Sequence, residues 1–315
     1  LVLPTVEKAT LTNGLEVVLA RRTDTPTVNL QLSFDAGFAS TVGEKAGLSN
    51  FAMSMLKEGT TTLSSLELAA ELENLGAGIY SGSDLDGSSL SLSAMKVNWQ
   101  RSAQLFADVL TNPAFNETEM ERLRTLTLDG INKEKARPMT NALRILPPLL
   151  YGDNHAYAQP LTGSGSEETV KNFSRDDLIQ YTRTWLRPDN ARLVVVGDIT
   201  MAELTATLNK ELATWQAPNT AKPQKKLSDV ALATKPRVFV IDKPESPQSL
   251  IIAGLLGPAR KDLAQGQDIK LDLMNTIIGG SFTSRINMNL REDKGWSYGA
   301  RSSMSNAQGQ APFFV

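Results

Sequence analysis

The sequence predicts an α+β fold made of two related domains, each a mostly antiparallel sheet covered by helices. Three observations predict it. Polar and apolar residues alternate in stretches such as residues 28–34, which is typical of strands with one face in solvent. Stretches with apolar residues at helical spacing lie between those strands. The order of elements at the start of the chain recurs about 220 residues later, which indicates a duplicated unit.

Composition excludes several classes of protein. The chain has 315 residues, which fits two domains better than one, and 41% of them are hydrophobic, enough for buried cores. A net charge of -2 provides no basic surface, so no nucleic-acid partner is expected. The absence of cysteine and the presence of a single histidine exclude thiolate zinc sites and any site with two imidazoles. No apolar run reaches the roughly 20 residues of a membrane span.

The first domain, predicted as residues 1–220, begins with a hairpin. The pair Asn13-Gly14 lies among β-prone residues, which is a strong hairpin signal. After the strand at 28–34, a helix is predicted from Leu48 to Gly59. A second helix begins at Ser64 or Ser65 and ends at Gly76. The remaining predicted elements are strands within 79–95 and at 191–197, and helices at 99–110, 117–135, 175–186 and 201–212.

A segment without periodicity separates the two domains. It is rich in Pro, Ala, Lys and Gln, and we assign residues 221–236 as the linker. The second domain, predicted as residues 237–315, is expected to be incomplete at its C-terminus, because the chain ends without a helix cap or a polar tail. Its predicted elements are strands at 238–243 and 249–255 and a helix at 268–278.

The helix predicted from Leu48 to Gly59 resembles the zinc helix of the pitrilysin and insulinase metallopeptidases, the inverzincins, in which the order is His-x-x-Glu-His. Asn50 stands at the position of the first His, Met53 at that of the Glu and Ser54 at that of the second His. Counting on to the family's third ligand, a Glu on another helix, reaches Gly130. A thioether is a poor zinc ligand, and neutral amide and hydroxyl groups do not balance the charge of the ion. We therefore expect no metal in this chain.

Other stretches extend the resemblance along the chain. Residues 150–163 resemble the family's connecting loop, 187–198 its last N-domain strand, and 279–299 a long and specific motif of its second domain. In this family the half without zinc supplies an Arg and a Tyr to the active site of the other half, and Arg291 and Tyr298 have that spacing. The resemblance implies that Tyr298 donates a hydrogen bond to the developing oxyanion, worth about 3 to 4 kcal/mol, and that Arg291 anchors the peptide or orients Tyr298.

The resemblance implies a half-clamshell fold and a function for it. The chain is expected to be the zinc-free, non-catalytic half of a pitrilysin-like peptidase, forming a chamber wall, binding unfolded peptide at a sheet edge and completing the site of a zinc-bearing homologous partner half. Zn2+ is expected in that partner, which is a separate subunit or part of the same polypeptide. The resemblance points to a bacterial periplasm. Two alternatives are a purely structural scaffold subunit and an independent peptidase with an unrecognised site.

Other polar residues have ordinary explanations. His155 is expected to be a partly exposed loop residue held by hydrogen bonds, because a lone imidazole makes no tight metal site. Asp84, Asp86 and Asp129 could surround a cation, but alternating Ser and Asp is typical of a solvated strand face.

The motif in the second domain also has a simpler interpretation. The glycines at 279–280 lack phosphate-loop spacing and are explained by a helix end followed by a turn. Arg291 would then form a surface ion pair with Glu292 or Asp293, and Tyr298 would be a packed aromatic residue.

Overall fold

The computed structural model describes residues 5–244, 246–259 and 263–315. The chain packs as two compact units, one containing the residues up to Asn132 together with Gly163–Lys225, and the other containing Lys133–Thr162 together with Lys226–Val315. The stretch 133–162, which was predicted to belong to the first domain, thus packs with the C-terminal part of the chain.

The strands are β1 (Val6–Thr10), β2 (Glu16–Arg21), β3 (Thr27–Phe34), β4 (Gly78–Ser83), β5 (Ser88–Met95), β6 (Ala191–Gly197), β7 (Gly254–Ala259), β8 (Ser303–Met304) and β9 (Gln310–Phe314). The helices are α1 (Leu48–Met55), α2 (Ser65–Leu75), α3 (Trp99–Thr111), α4 (Glu117–Ala136), α5 (Pro138–Tyr151), α6 (Glu167–Lys171), α7 (Arg175–Trp185), α8 (Met201–Glu211), α9 (Gln267–Asn275) and α10 (Arg285–Asn287).

The first unit is built on a six-stranded sheet with the order β1-β2-β6-β3-β5-β4. Every pair of neighbours is antiparallel except β2 and β6, which are parallel. The predicted hairpin is confirmed: β1 pairs with β2, and Gly14 has a φ of 86°, a left-handed conformation that glycine adopts without strain. The prediction of a mostly antiparallel sheet is therefore confirmed for this unit.

Alternation along the central strands explains which face of this sheet is buried. In β3 every second residue is buried, and those between are exposed or half-buried. Leu30 pairs with Leu92 of β5 on one side and with Val195 of β6 on the other, and all three are buried. Because every second side chain of a strand points to the same face, the buried residues of the three strands form one continuous apolar face of the sheet.

Helices cover that apolar face. The predicted boundaries of α2 are confirmed, since the Ser64 hydroxyl accepts the N–H of Glu67 and Gly76 ends the helix in a left-handed conformation. Trp215 packs edge-on against Phe34 of β3, with ring centroids 6.2 Å apart. Of the described helices, none is both long and apolar enough to cross a bilayer.

The second unit contains a three-stranded antiparallel sheet with the order β7-β9-β8. Sequence reasoning did not predict α5, which contacts β7. Pro138 occupies the first turn of α5, where its missing N–H costs nothing, but Pro147 and Pro148 lie inside the helix. Interior prolines ordinarily argue against a helix because each removes a backbone hydrogen bond.

Two strand predictions in the second unit need correction. The predicted strand at 238–243 is wrong: this stretch forms no strand, and Val238 and Val240 are 87% and 90% exposed. The predicted strand at 249–255 forms only from Gly254, where β9 supplies a partner. A strand is stable only where a neighbour accepts and donates its backbone hydrogen bonds, so an apolar pattern alone is not sufficient.

The segment predicted to contain the linker forms no helix or strand among its described residues. The residues around its start are held within the first unit by Arg187, which is buried. The guanidinium of Arg187 donates hydrogen bonds to the carbonyl oxygens of Pro218, Thr220 and Ala221. These residues are therefore fixed against the first unit by a buried cation.

Candidate functional site

Close packing sets the position of α1, the helix that resembles a zinc helix. Gly47 precedes it with a φ of 88°, and a Cβ atom at Gly47 would lie 2.8 Å from Cα of Gly165. An ion pair of 2.7 Å between Lys45 Nζ and Asp177 Oδ1 ties the preceding turn to α7. Burial raises the pKa of Asp177, but hydrogen bonds from Lys45 and Ser174 outweigh that effect and lower the pKa overall.

The three positions on α1 that correspond to zinc-binding and catalytic residues have different environments. Met53 is fully buried in the hydrophobic core. Asn50 and Ser54 are half-buried, and the hydroxyl of Ser54 donates a hydrogen bond of 2.9 Å to the carbonyl oxygen of Asn50. The helix thus presents an amide and a hydroxyl on one side and packs a thioether into the core.

The fourth position, Gly130, is half-buried on α4. A Cβ atom added there would meet no other atom within 4 Å, so the position has room for a larger side chain. Within the described residues, no group of three or more His, Cys, Asp or Glu side chains is arranged to hold a metal ion.

The edge strand β4 lies directly beside α1. It is the last strand of the sheet and pairs only with β5 in the part of the chain that the structure describes. The hydroxyl of Ser81 donates a hydrogen bond of 2.6 Å to the carbonyl oxygen of Met53, which joins the strand to the helix. Edge strands carry unpaired backbone N–H and C=O groups that can pair with an added strand. The site therefore combines a sheet edge with a helix that has Asn50, Met53 and Ser54 at the three positions compared with zinc-helix residues.

A network of hydroxyl groups lies under the end of β4. The Ser88 hydroxyl is 2.8 Å from that of Ser83 and 3.1 Å from that of Tyr181 on α7, and it accepts the N–H of Gly37. Burial raises the pKa of Tyr181, so its phenol stays protonated and the network uncharged. No sequence signal indicated this network, because its members come from distant parts of the chain.

The turn between β4 and β5 corrects one expectation. Asp86 does not lie on a solvated strand face: it is 8% exposed and pairs with Lys225. The ammonium group of Lys225 is 2.6 Å from Asp35 Oδ1 and 2.5 Å from the carbonyl oxygen of Asp86. Asp84 lies in the same turn, where its carboxylate accepts backbone N–H groups. The carboxylates of Asp35 and Asp86 thus share one lysine ammonium group, which balances one of their two negative charges.

The motif of the second unit carries Arg291 and Tyr298. Arg291 lies in a π-helical stretch, with its guanidinium 4.8 Å above the ring of Phe282 and its Nε 3.2 Å from Glu292 Oε1. Tyr298 is not packed, since 88% of it is exposed. Its hydroxyl is therefore accessible to another molecule.

Asn287, which sequence reasoning missed, holds the loop that carries Tyr298. Asn287 is buried, with 3% of the residue exposed. Its side-chain amide donates a hydrogen bond to the carbonyl oxygen of Phe282 at 2.6 Å and accepts one from the N–H of Ala300 at 3.0 Å. Gly279 supports the same loop, because a Cβ atom there would lie 2.4 Å from the hydroxyl of Ser302. This close approach explains why the motif has glycine at that position.

Two family models match the chain. Residues 16–159 match the one described as Insulinase (Peptidase family M16), and residues 172–315 match the one described as Peptidase M16 inactive domain. The chain belongs to peptidase family M16. The resemblance drawn from α1 and the second-unit motif is thus confirmed, and the match to the inactive domain identifies a non-catalytic, peptidase-like half of this family.

Relatives of known sequence include M16 proteins from bacteria and mitochondria. An uncharacterized zinc protease of Bacillus subtilis, YmxG, is 25% identical over 302 residues, which cover 94% of this chain and 69% of the relative. The mitochondrial-processing peptidase subunit beta of Rattus norvegicus is 27% identical over 204 residues, which cover 64% of this chain and 40% of the relative. The matched part of the chain thus corresponds to less than half of the mitochondrial subunit.

Solved structures of M16 proteins share the fold. The peptidase M16 inactive domain from Pseudomonas fluorescens superposes with a TM-score of 0.80 at 24% identity, covering 98% of this chain and 73% of that one. A protease from Helicobacter pylori gives 0.84 at 20% identity, covering 99% and 74%. The predicted α+β half-clamshell fold is therefore confirmed.

Proposed function

We propose that this chain is the zinc-free wall of a pitrilysin-like peptidase. It binds unfolded peptide in an extended conformation and supplies Arg291 and Tyr298 to the active site of a zinc-bearing partner half. The metal chemistry would belong to that partner, where a bound Zn2+ would supply a Lewis acid and an activated water. The partner half is either a separate subunit or another part of the same polypeptide.

The observation that carries this proposal is the free edge of β4 beside α1. Ser81 ties the edge strand to the carbonyl oxygen of Met53, so an extended peptide that pairs with β4 would lie next to α1. Pairing through backbone groups gives affinity with little sequence preference, which suits a wall that receives unfolded chains of varied sequence.

The second part of the proposal concerns Tyr298. Its exposed phenol is a hydrogen-bond donor on a loop that Asn287 holds in place. A donor fixed before the reaction and aimed at the developing oxyanion stabilises the transition state more than the substrate. Arg291 supplies a positive charge on the same motif, which can anchor a peptide carboxylate or carbonyl.

Peptide binding can be tested without the partner. The 15N-labelled chain is titrated with an unstructured peptide long enough to span β4. We expect backbone amide shifts in β4 (Gly78–Ser83) and none in β1 (Val6–Thr10), the strand at the opposite edge of the same sheet. A peptide methylated at alternate backbone nitrogens should bind roughly tenfold more weakly, because it has lost donors for strand pairing. Shifts at both edges, or equal affinity for the methylated peptide, would contradict the proposal.

One observation favours a second function, a structural scaffold with no role in proteolysis. The guanidinium of Arg291 is already engaged by Glu292 and by the ring of Phe282, as a packing residue would be. In a scaffold, replacing Arg291 and Tyr298 together leaves the activity of the zinc-bearing half unchanged. In the proposed function, the double replacement lowers that activity while the two halves still associate.

A further inference from the structure

The loop after α5 contains the single histidine of the sequence, His155. As predicted, it is a partly exposed loop residue held by hydrogen bonds. Its Nδ1 lies 3.0 Å from the backbone nitrogen of Tyr157, and its Nε2 lies 2.9 Å from the carbonyl oxygen of Ser228. An amide N–H can only donate and a carbonyl can only accept, so Nδ1 carries no hydrogen and Nε2 carries one. Both hydrogen bonds therefore require the neutral imidazole.

Aromatic side chains fix the orientation of that imidazole. The ring of Tyr151 stacks on it with a centroid distance of 4.8 Å, and the ring of Tyr157 meets it at a steep angle with a centroid distance of 5.4 Å. Each tyrosine is in turn held by the start of β9. The Tyr151 hydroxyl donates to the carbonyl oxygen of Gln310 at 2.6 Å, and the N–H of Gly309 donates to the Tyr157 hydroxyl at 2.9 Å. The ring thus has little freedom to choose other partners.

We propose that His155 is a pH-sensitive clasp. In its neutral form it holds residues 226–229 to the loop at 152–158, and on acidification it releases them. A proton on Nδ1 would face the N–H of Tyr157, and two donors cannot form a hydrogen bond. The imidazole must then turn or move, and its hydrogen bond to Ser228 is lost. Imidazole is the side chain that ordinarily gains its charge within the pH range that cells and compartments experience.

Charged neighbours do not restore the lost acceptor. The titratable or charged groups on the elements packed around the imidazole are Arg144 and Tyr151 on α5, Asp153 and Tyr157 on the loop, and Lys226 and Asp229 on the segment that carries Ser228. The strand β9 carries no titratable side chain. Asp153 and Asp229 are the acidic residues among them. Neither gives the N–H of Tyr157 a new acceptor.

The chain provides an internal reference next to the clasp. Gln310 Oε1 accepts the N–H of Val230 at 2.6 Å, and Gln310 Nε2 donates to the carbonyl oxygen of Val230 at 3.0 Å. No group in this pair titrates between pH 5 and 8. The N–H of Val230 should therefore stay protected at pH values where the clasp is open.

The test uses the full 15N-labelled chain, titrated from pH 8 to pH 5. Because the sequence has one histidine, long-range 1H–15N spectra report a single imidazole, and we expect the Nε2–H form at pH 8. On protonation of the ring, hydrogen exchange of the Tyr157 amide, corrected for intrinsic rate, should become at least about tenfold faster. The Val230 amide should keep its protection. The midpoints of ring protonation and of Tyr157 exchange should coincide.

Several results would overturn the clasp. They are an Nδ1–H form at pH 8, a ring that stays neutral down to pH 5, a Tyr157 amide that stays protected after the ring is charged, and a parallel loss of protection at Val230. His155→Gln, which cannot take up a proton, should abolish the pH dependence, and Asp229→Asn should keep it. If His155→Gln does not fold, the titration of the native chain alone decides the question.

Discussion

A similar alternating sequence pattern forms a complete strand in the first unit and only part of a strand in the second. In the first unit the alternating stretch after Pro26 becomes β3, a strand with a neighbour on each side and a fully buried apolar face. In the second unit the matching stretch after Pro247 becomes a strand only from Gly254, and Ile251 within it is 85% exposed. Alternation determines which face of a strand is apolar, but neighbouring strands determine whether the strand forms.

The same contrast applies to the two parts of the candidate site. Met53 on α1 is fully buried and has become part of the core of the first unit, whereas Tyr298 in the second unit is 88% exposed. Substitutions at α1 should therefore act on stability, and substitutions at Tyr298 should act on chemistry. The predictions that follow test this contrast.

The largest effect is expected for Met53→Glu, which places the family's catalytic residue type in a site with no exposure. Burying an unpaired carboxylate should destabilise the first unit by about 4 kcal/mol at pH 7, whereas the volume-conserving control Met53→Leu should cost less than about 1.5 kcal/mol. Burial raises the pKa of a carboxyl group, so the penalty should shrink as the pH falls toward 4. Urea unfolding followed by the fluorescence of the buried Trp99 measures it. Equal stability of the Glu and Leu variants would show that position 53 is accessible to water.

A matched pair of leucines tests the contrast between the units directly. Leu32 in β3 is fully buried, and Leu273 in α9 is 59% exposed. Leu32→Ala should cost about 3 kcal/mol, through lost burial and a cavity, and Leu273→Ala should stay within about 0.5 kcal/mol. Thermal and urea unfolding of both variants decides the point. A cost at Leu273 comparable to that at Leu32 would mean that α9 is covered in solution.

A smaller effect is expected for Asn287→Ala. It removes one hydrogen bond to Phe282 and one from Ala300, both of them part-buried, at a cost of about 1 to 3 kcal/mol. Exchange at the Ala300 amide should become faster, since this amide anchors the loop before the chain reaches β8. The exposed Asn289→Ala serves as control and should leave that amide unchanged. An unchanged Ala300 amide in Asn287→Ala would remove the proposed support for Tyr298.

The smallest effect concerns the pair that positions α1. Hydrogen bonds from Lys45 and Ser174 lower the pKa of Asp177, despite its burial, below the ordinary 3.8. A lowered pKa in the folded state adds stability that is present above pH 4 and is lost as the pH falls below that value. Because Lys45 is 45% exposed, the contribution should be about 1 kcal/mol or less. In Asp177→Asn, the free energy of unfolding, measured by urea unfolding at several pH values, should fall less below pH 4 than in the native chain. The exposed Asp176→Asn should show the same fall as the native chain.

Much of the first unit could be predicted from the sequence because its signals are local. The Asn13-Gly14 turn, the cap at Ser64 and the period-two pattern of 28–34 each act over a few residues. The parallel pairing of β2 with β6 could not be predicted, because these strands are far apart in sequence. The α5 helix was missed since Pro147 and Pro148 oppose helix formation locally and tertiary contacts override them.

The candidate site was predictable to a similar degree. The identities of Asn50, Met53 and Ser54 against the family pattern are visible in the sequence, but the complete burial of Met53 is a property of packing. Asn287 carries no signal, since one Asn in a helical stretch resembles any other. The ion pair between Lys225 and Asp86 joins residues that only the fold brings together.

The most direct test of the proposed function is cleavage of an unfolded peptide by the zinc-bearing half mixed with this chain, compared with the Tyr298→Phe variant. Phe keeps the ring and removes the hydroxyl, so association and stability should not change. We predict a fall in kcat of roughly a hundredfold, with little change in KM, from the loss of one oxyanion donor. Unchanged cleavage by a mixture in which the two halves associate normally would contradict the account.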